Sequence, residues 1–205
     1  MPLDHERANA KAAQICAAFA PACDVISIAG SVRRGSTAVS DIEIVAVPKF
    51  FQQTMFLDPD WHAGSRLDAC LESLVQRGAL RWDTVIRRNG PHYKRLIVCS
   101  VETPLDVFLA APDNYGNLLT IRTGPSGFST LLVMRRSMDG LLPRGFVHRN
   151  GYLWRNDMRL ACASELAFFA AIGLDVPAPA TRTAELIPNL RRQQEAWLDQ
   201  QGLER

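Results

Sequence analysis

A short polar segment follows the first clear β-strand pattern of the chain and carries the types of residue that bind phosphate. Gly30 and Ser31 begin this segment, and Arg33 and Arg34 follow closely. A strand that ends in a tight turn presents backbone N–H groups, and a residue without a Cβ lets a phosphate approach them. The Ser31 hydroxyl adds a donor, and Arg33 or Arg34 adds a planar cation that suits a polyphosphate. The segment therefore predicts a phosphate-binding turn.

Acidic side chains come next, in strands that are otherwise apolar. Asp41 and Glu43 lie two residues apart in an alternating pattern, so both carboxylates should project from the same face of one strand. Asp106 is a further isolated acid in an apolar strand. Carboxylates in such surroundings need a positive counter-charge, and carboxylate oxygens are ligands that Mg²⁺ accepts. If the two strands are neighbours, three carboxylates could hold two Mg²⁺ ions, for which Mn²⁺ can substitute, for in-line phosphoryl transfer.

The elements that must position these residues follow from the hydrophobic pattern. We predict helices over 4–19 and 62–77, strands over 24–29, 41–47, 80–88, 93–99 and 105–110, and a turn or short helix over 30–40. Asn89-Gly90 is expected to form the turn between two of these strands. This order of elements predicts an α+β fold, in which a mixed sheet carries helices on one side.

The pattern changes after residue 112, where we place a domain boundary. Short helices are predicted over 113–123, 126–138 and 164–172, together with a hairpin over 145–155 that turns at Asn150-Gly151. We therefore expect one domain over 1–112, a small α+β subdomain over 113–183, and a polar, helical C-terminal tail over 184–205. Ser164 is the expected N-cap of the third short helix.

Composition narrows the class of protein. The chain has 205 residues, and only three of its 23 basic residues are lysines. Arginine suits phosphate recognition, although the same bias is typical of a GC-rich genome. Five cysteines without a C-x-x-C pair, no apolar run long enough to span a membrane and no signal-like N-terminus predict a cytoplasmic protein without a membrane partner. We expect a monomer.

Four segments together resemble the family X (polymerase beta-like) DNA polymerases of the nucleotidyltransferase superfamily. GSVRRGSTAVSDIE (30–43) is similar to the catalytic motif, and TPLDVFLAAPDNYG (103–116) is similar to the strand with the third metal ligand. TGPSGFSTLLVMRR (123–136) resembles the nucleotide-binding helix, and SELAFFAAIGLDVPAPATR (164–182) resembles the end of the C-terminal subdomain. The resemblance predicts a minimal form with a palm and a thumb-like subdomain only.

The resemblance implies a role for each matching residue. Asp41 and Glu43 would ligate both metal ions, and Asp106 would ligate the catalytic one and help to deprotonate a 3′-hydroxyl. Ser31 and Arg34, beside Gly30, would bind the β- and γ-phosphates of a nucleoside triphosphate. Further nucleotide contacts are expected from Thr123, Gly124 and Ser129. Nucleic-acid contacts are expected from Arg135 and Arg136 and, unless they belong to a solvated turn, from Lys94 and Arg95.

The implied activity is nucleotidyl transfer to a DNA 3′-hydroxyl with release of pyrophosphate, in gap-filling DNA synthesis during repair. The expected partners are a nucleoside triphosphate and primer/template or gapped DNA. Glu43 stands where these polymerases usually have Asp, and Ile121-Arg122 replaces an aromatic pair, which leaves the sugar preference open. Two alternatives are an acceptor other than DNA (RNA, a protein or a small molecule) and an accessory protein that binds DNA ends but catalyses weakly.

Overall fold

The computed structural model describes residues 2–50 and 64–202, and it divides the chain into two units, Met1–Ala111 and Pro112–Arg205. The first unit contains β1 (Leu3–Asp4), α1 (His5–Phe19), β2 (Cys23–Ile28), α2 (Gly30–Arg33), β3 (Ala38–Val39), β4 (Ile42–Pro48), α3 (Arg66–Gln76), β5 (Leu80–Trp82), β6 (Tyr93–Val98) and β7 (Thr103–Leu109). Among the described residues, no helix is long and apolar enough to cross a membrane.

Five strands of the first unit form a mixed sheet in the order β2-β4-β7-β6-β5. The central strands β4 and β7 run parallel, and the other neighbours are antiparallel. The short strands β1 and β3 pair separately. The mixed sheet predicted from the alternating pattern is therefore confirmed, and β4 and β7 are direct neighbours.

Both long helices of this unit begin at a capping side chain. The Asp4 carboxylate accepts from the Arg7 backbone N–H at 2.9 Å, and α1 follows. The Ser65 hydroxyl accepts from the Asp68 backbone N–H at 3.0 Å and caps α3. The predicted helix over 62–77 thus starts later, at Arg66, and the first two residues of that prediction lie outside the described part of the chain.

The helices pack on one face of the sheet, as predicted. Alternate residues of β4, among them Ile42 and Ile44, are fully buried with Leu67 and Leu71 of α3 and with the apolar face of α1. Because side chains alternate along a strand, this leaves Glu43 on the opposite face. One face of β4 is thus buried in the hydrophobic core, and the acidic residues lie on the other face.

Strand β5 is shorter than the sequence suggests. The predicted strand over 80–88 ends at Trp82, because the Asp83 carboxylate accepts hydrogen bonds from the backbone N–H groups of Val85 at 2.9 Å and Ile86 at 3.0 Å. This turn leaves the Val85 side chain 90% exposed. The chain reverses slightly later than the predicted turn at Asn89-Gly90: Asn89 already pairs with Lys94, and the Gly90 N–H donates to the Tyr93 carbonyl at 3.0 Å.

The second unit contains α4 (Tyr115–Thr123), α5 (Ser126–Val133), β8 (Phe146–Arg149), β9 (Tyr152–Arg155), β10 (Met158–Leu160), α6 (Glu165–Ala171) and α7 (Ile187–Gln201). The hairpin at Asn150-Gly151 is confirmed, and β10 is a third antiparallel strand that the sequence did not indicate. The helix predicted over 126–138 is wrong beyond Val133. Met134 is extended, and Gly140 packs so closely against it that a Cβ would overlap its carbonyl.

The end of the chain packs into the core of this unit. The Ser164 hydroxyl accepts from the Ala167 N–H at 3.1 Å and caps α6, as predicted. The segment that the sequence presents as a polar tail forms α7 and buries Ile187 and Leu190 in the same cluster as Phe168. Its polar composition hides an apolar stripe that belongs to the same hydrophobic cluster as residues of α5 and α6.

Candidate active site

The two central strands bring two of the predicted carboxylates together. Glu43 on β4 and Asp106 on β7 are direct partners in the parallel register, so their side chains leave the same face of the sheet. Asp41 precedes β4 by one residue and lies on the same face by alternation. The three acids therefore share one face, opposite the face covered by α1 and α3.

Gly30 lies against the acidic face. The Ala29 N–H donates to the Glu43 carbonyl at 2.8 Å, and this contact holds the turn after β2 beside β4. Gly30 has a φ of 60°, and a Cβ at this position would overlap the Glu43 carboxylate. A glycine is required here both for the backbone conformation and for the close approach.

The residues after Gly30 supply a buried donor and a cation. The Ser31 hydroxyl oxygen is buried and has no hydrogen-bond partner among the described residues. A buried polar group without a partner is costly unless a ligand or water satisfies it. Arg34 is half-buried; burial lowers the pKa of Arg34, while the charges of Glu43 and Asp41 act to raise it. The charge of Arg34 therefore interacts with both carboxylates.

Asp106 is held by two side chains of the neighbouring strand β6. Nη1 of Arg95 donates to both Asp106 oxygens, at 2.7 and 2.8 Å, and the Tyr93 hydroxyl donates to Oδ1 at 2.8 Å. The Tyr93 ring stacks on Phe108, with 4.9 Å between centroids. Asp106 itself is only 6% exposed, so this carboxylate is a paired, nearly buried acid.

Arg95 also contacts a second carboxylate. Its Nε donates to Oδ2 of Asp83 at 3.1 Å, and its guanidinium therefore bridges Asp83 and Asp106. We predicted that Arg95 contacts nucleic-acid phosphates; the structure instead pairs it with two acids of the protein. Sequence reasoning missed Tyr93 and Asp83. The alternation of Tyr93 and Arg95 on the strand next to Asp106 is the signal that could have revealed Tyr93.

The pKa of Asp41 reflects its burial and the neighbouring carboxylate of Asp106. Burial raises the pKa of Asp41, and the nearby Asp106 carboxylate raises it further. Arg95, the Ser40 hydroxyl and Arg34 act in the opposite direction. The net rise is due first to burial, and the negative charge of Asp106 adds to it.

The carboxylates of this face suit a hard divalent cation by type, although they do not form a complete set of ligands as they stand. The pKa of Asp41 is raised by burial and then by Asp106, and an oxygen-ligated cation would offset the repulsion among three carboxylates on one face. Among residues 2–50 and 64–202, however, no three His, Cys, Asp or Glu side chains lie close enough together to form a ready metal site. The residues fit Mg²⁺ by charge and by donor type, provided that Asp106 exchanges Arg95 for the cation.

Lys94 does not belong to this face. Its Nζ lies 2.8 Å from Oδ1 of Asp68 and donates to Oδ1 of Asn89 at 2.9 Å, and the residue is 7% exposed. Because Lys94 and Arg95 are adjacent on a strand, their side chains leave opposite faces. The prediction that Lys94 contacts nucleic acid is wrong, since its charge is buried in an internal ion pair.

In the second unit, the predicted nucleotide contacts lie where α4 meets α5. Thr123 is buried at the end of α4, and Gly124 follows in an extended conformation. A Cβ on Gly124 would overlap the side chains of Phe128 and Ser129. The Ser129 hydroxyl donates to the Ile121 carbonyl at 2.6 Å and is 8% exposed. Ser129 therefore joins the two helices, and its hydroxyl donor is engaged within the unit and not free for the nucleotide contact that we predicted.

The two adjacent arginines of this unit have different environments. Arg136 is buried: its Nη1 donates to Oε1 of Gln194 at 2.8 Å and its Nη2 lies 3.4 Å from Oε1 of Glu195, both on α7. This corrects the prediction that Arg136 contacts nucleic acid. Arg135 is exposed and lines, with Arg144, a pocket of about 570 Å³. Of the predicted pair, only Arg135 is accessible to a phosphate.

The structure has a polymerase beta-like α+β fold, as its similarity to a solved structure shows. That structure is polymerase beta from Leishmania infantum in a ternary P/T complex, with a TM-score of 0.68 and 14% sequence identity. The match covers 89% of this chain and 77% of that chain. No protein-family model and no curated protein matches the sequence. At this identity the likeness shows the fold alone, and membership of family X stays a prediction.

Proposed function

We propose that this chain is a divalent-cation-dependent nucleotidyltransferase that adds a nucleotide to a DNA 3′-hydroxyl and releases pyrophosphate, in the filling of short gaps during repair. The observation that supports this proposal most directly is the parallel register of Glu43 and Asp106, with Asp41 on the same face. The polymerase beta-like fold agrees with it, since the likeness extends over 89% of the chain.

The turn after β2 is the proposed site for the triphosphate. Gly30 allows close approach to the backbone, and the buried Ser31 hydroxyl has a donor without a partner among the described residues. Arg34 adds a positive charge beside Asp41 and Glu43. In the proposal, Ser31 donates to a β- or γ-phosphate oxygen, and Arg34 neutralises part of the polyphosphate charge. The substrate then provides a hydrogen-bond partner for the Ser31 hydroxyl, which has none among the described residues.

The three acids are the proposed ligands of Mg²⁺, for which Mn²⁺ can substitute. Bound there, two such cations would polarise the phosphoryl group and neutralise the charge that develops on the leaving pyrophosphate. In the proposal, Asp41 and Glu43 contribute to both cation sites and Asp106 to one. The Asp106 carboxylate also accepts the proton of the attacking hydroxyl, whose oxygen then forms the new phosphodiester bond.

Thr123 and Gly124 of the second unit stay predicted nucleotide contacts. Any side chain on residue 124 would crowd Phe128 and Ser129, so the backbone of Gly124 is the group that could make such a contact. Arg135, which is exposed beside a pocket of about 570 Å³, contacts a strand phosphate. These contacts are fewer than those predicted from the sequence, because Ser129, Arg136 and Lys94 are engaged within their units.

The test is extension of a primer in a one-nucleotide gap, with Mg²⁺ and each deoxynucleoside triphosphate in turn, beside the Asp106→Asn variant. We expect incorporation by the wild type and none by the variant. Absence of incorporation by the wild type with Mg²⁺ and with Mn²⁺ would reject the polymerase activity. Binding of gapped DNA without incorporation and without Mn²⁺ binding would favour an accessory role.

A second candidate keeps the chemistry and changes the acceptor to RNA, a protein side chain or a small molecule. Lys94 and Arg136, two of the four residues predicted to contact nucleic acid, are buried in internal pairs, which weakens the case for a DNA acceptor. Labelled ATP, CTP, GTP and UTP with RNA, protein and small-molecule acceptors, beside a DNA primer, would distinguish the two candidates. Preferential labelling of a DNA primer would argue against this second candidate.

A further inference from the structure

We propose that Arg95 is a positioning residue that occupies the Asp106 carboxylate until a divalent cation replaces it, and that Asp83 retains the guanidinium after the exchange. This inference rests on the proposed function, because it assigns Asp106 to a cation site. It adds a built-in competitor for that site, which sets the affinity for the cation and is supplied by the neighbouring strand β6.

The geometry makes Arg95 a bridge between two acids. One guanidinium nitrogen, Nη1, contacts both Asp106 oxygens at 2.7 and 2.8 Å, and a different nitrogen, Nε, contacts Asp83 at 3.1 Å. The two carboxylates thus use separate donors of one side chain. The guanidinium can give up its contact with Asp106 and keep its contact with Asp83, so the exchange does not leave a buried charge without a partner.

The backbone holds Arg95 in this position. Its N–H donates to the Arg88 carbonyl at 2.7 Å, and its carbonyl accepts from the Asp83 N–H at 3.3 Å. Asp83 in turn accepts from the N–H groups of Val85 and Ile86 through its other oxygen, Oδ1. Asp83 at the start of the loop between β5 and β6 and Arg88 within that loop are therefore both bonded to the Arg95 backbone, and Asp83 already contacts its guanidinium.

A competitor at Asp106 has a physical consequence for cation binding. The Arg95 side chain is 15% exposed and that of Asp106 is 9% exposed, so their charge-assisted contact is poorly screened by water. A cation must break this contact before it can use the carboxylate, and its apparent affinity falls accordingly. When no cation is bound, the contact with Arg95 neutralises Asp106, whose negative charge acts on Asp41.

The experiment is a Mn²⁺ titration of the full chain followed by electron paramagnetic resonance, without nucleotide or DNA. Arg95→Met should bind Mn²⁺ about tenfold more tightly than the wild type, because the competing contact is lost. Arg81→Met is the matched control: it removes one positive charge from the adjacent strand β5, where Arg81 pairs with the exposed Glu102, and should change the affinity by less than about twofold. Equal affinities of Arg95→Met and the wild type, or no Mn²⁺ binding by either, would overturn the inference.

Two further variants make the result specific to the bridge. Arg95→Lys keeps the charge but cannot bridge both acids, so its Mn²⁺ affinity should lie between those of the wild type and Arg95→Met; it also serves if Arg95→Met fails to fold. Asp83→Asn keeps the oxygen that accepts from Val85 and Ile86 but removes the charge that retains the guanidinium. It should weaken Mn²⁺ binding about threefold in the wild type and have no effect in the Arg95→Met background. A loss of the same size in both backgrounds would show that Asp83 acts as a remote charge, against the inference.

The outcomes separate this inference from the proposed function. If Arg95→Met binds Mn²⁺ more tightly and the chain nevertheless incorporates no nucleotide, the inference stands and the polymerase activity fails. If gap filling is observed and the Mn²⁺ affinity does not depend on Arg95, the activity stands and the inference fails.

Discussion

Glu43 and Asp106 face each other across the parallel pair β4 and β7, and their backbone positions are matched in the strand register. This relationship joins two acids that are far apart along the chain into one charged patch. Asp41 extends the patch by one alternation of the same strand, and the charges of Arg95 and Arg34 both act on Asp41. The same register places Ile44 and Val107 together in the core, so burial of the apolar face holds the acids in place.

Replacement of Asp106 should abolish nucleotidyl transfer. Asp106→Asn keeps the size of the side chain but removes the charge that would ligate the cation and accept the proton, so we expect at least about a hundredfold loss of activity. Glu102→Gln is the control, since Glu102 is an exposed acid paired with Arg81. Single-turnover incorporation measures both. Comparable activity of Asp106→Asn and wild type would exclude Asp106 from the reaction.

The Ser31 hydroxyl should matter for substrate and not for folding. Because this buried oxygen has no partner among the described residues, Ser31→Ala should not lower the melting temperature. Loss of a hydrogen bond to a charged phosphate should raise the KM for the nucleoside triphosphate about tenfold. Ser100→Ala, at an exposed serine two residues after β6, is the control. A destabilised Ser31→Ala variant with normal kinetics would assign the hydroxyl a structural role.

The ionised carboxylate of Asp41 should lower the stability of the folded chain at neutral pH. Because its pKa is raised by burial and by Asp106, ionisation is less favourable in the folded chain than in the unfolded one. Asp41→Asn should therefore melt at a higher temperature than the wild type at pH 7. The difference should shrink as the pH falls through the raised pKa and vanish below about 3.9, the ordinary pKa of an aspartate. Melting curves across this range test the sign; a lower melting temperature for Asp41→Asn at pH 7 would contradict it.

Arg135 and Arg136 should respond differently to substitution. Arg135→Ala should weaken binding to gapped DNA and reduce the slope of log affinity against log salt by about one, as expected for one phosphate contact. Arg136→Met should leave that slope unchanged and lower the free energy of unfolding, because Gln194 and Glu195 lose their buried partner. Fluorescence anisotropy at several salt concentrations and denaturant unfolding separate the two effects. An unchanged slope in Arg135→Ala would remove Arg135 from the interface.

The pair of Arg182 and Glu165 should stabilise the second unit. Arg182 is 1% exposed, and its Nη1 lies 2.6 Å from Oε1 of Glu165. Arg182→Met leaves Glu165 buried without its cation and should cost about 3–5 kcal/mol of unfolding free energy. The double variant with Glu165→Leu should recover much of this loss. Arg149→Met, which breaks an exposed pair with Asp157, is the control and should cost less than about 1 kcal/mol.

The local parts of the fold could be predicted from the sequence because their signals are local. Asp4 and Ser164 cap helices that begin where the capping residue and the apolar spacing indicate. Alternation in β4 correctly assigned Ile42 and Ile44 to one face and Glu43 to the other. The hairpin at Asn150-Gly151 follows from a dipeptide that favours positive φ at both positions.

The parts that could not be predicted depend on contacts between distant residues. Nothing in the pattern of β6 distinguishes Arg95, which pairs with Asp106, from Lys94, which pairs with Asp68, until the register of β6 and β7 is known. The early end of β5 depends on a side-chain hydrogen bond of Asp83 that competes with the strand. The burial of α7 was hidden because three apolar residues among many polar ones are enough to anchor a helix.

The position of Gly30 against the Glu43 carboxylate restricts how this chain can vary. Any side chain at residue 30 would have to displace the acid, and the positive φ would remain unfavourable even if residue 43 were shortened to Asp. The choice of residue at position 43 therefore depends on glycine at position 30, whereas glycine is required whichever acid is present. Residue 43 can change from one acid to another while residue 30 remains glycine, but residue 30 cannot change first. A library randomised at both positions should therefore return functional clones only with glycine at position 30.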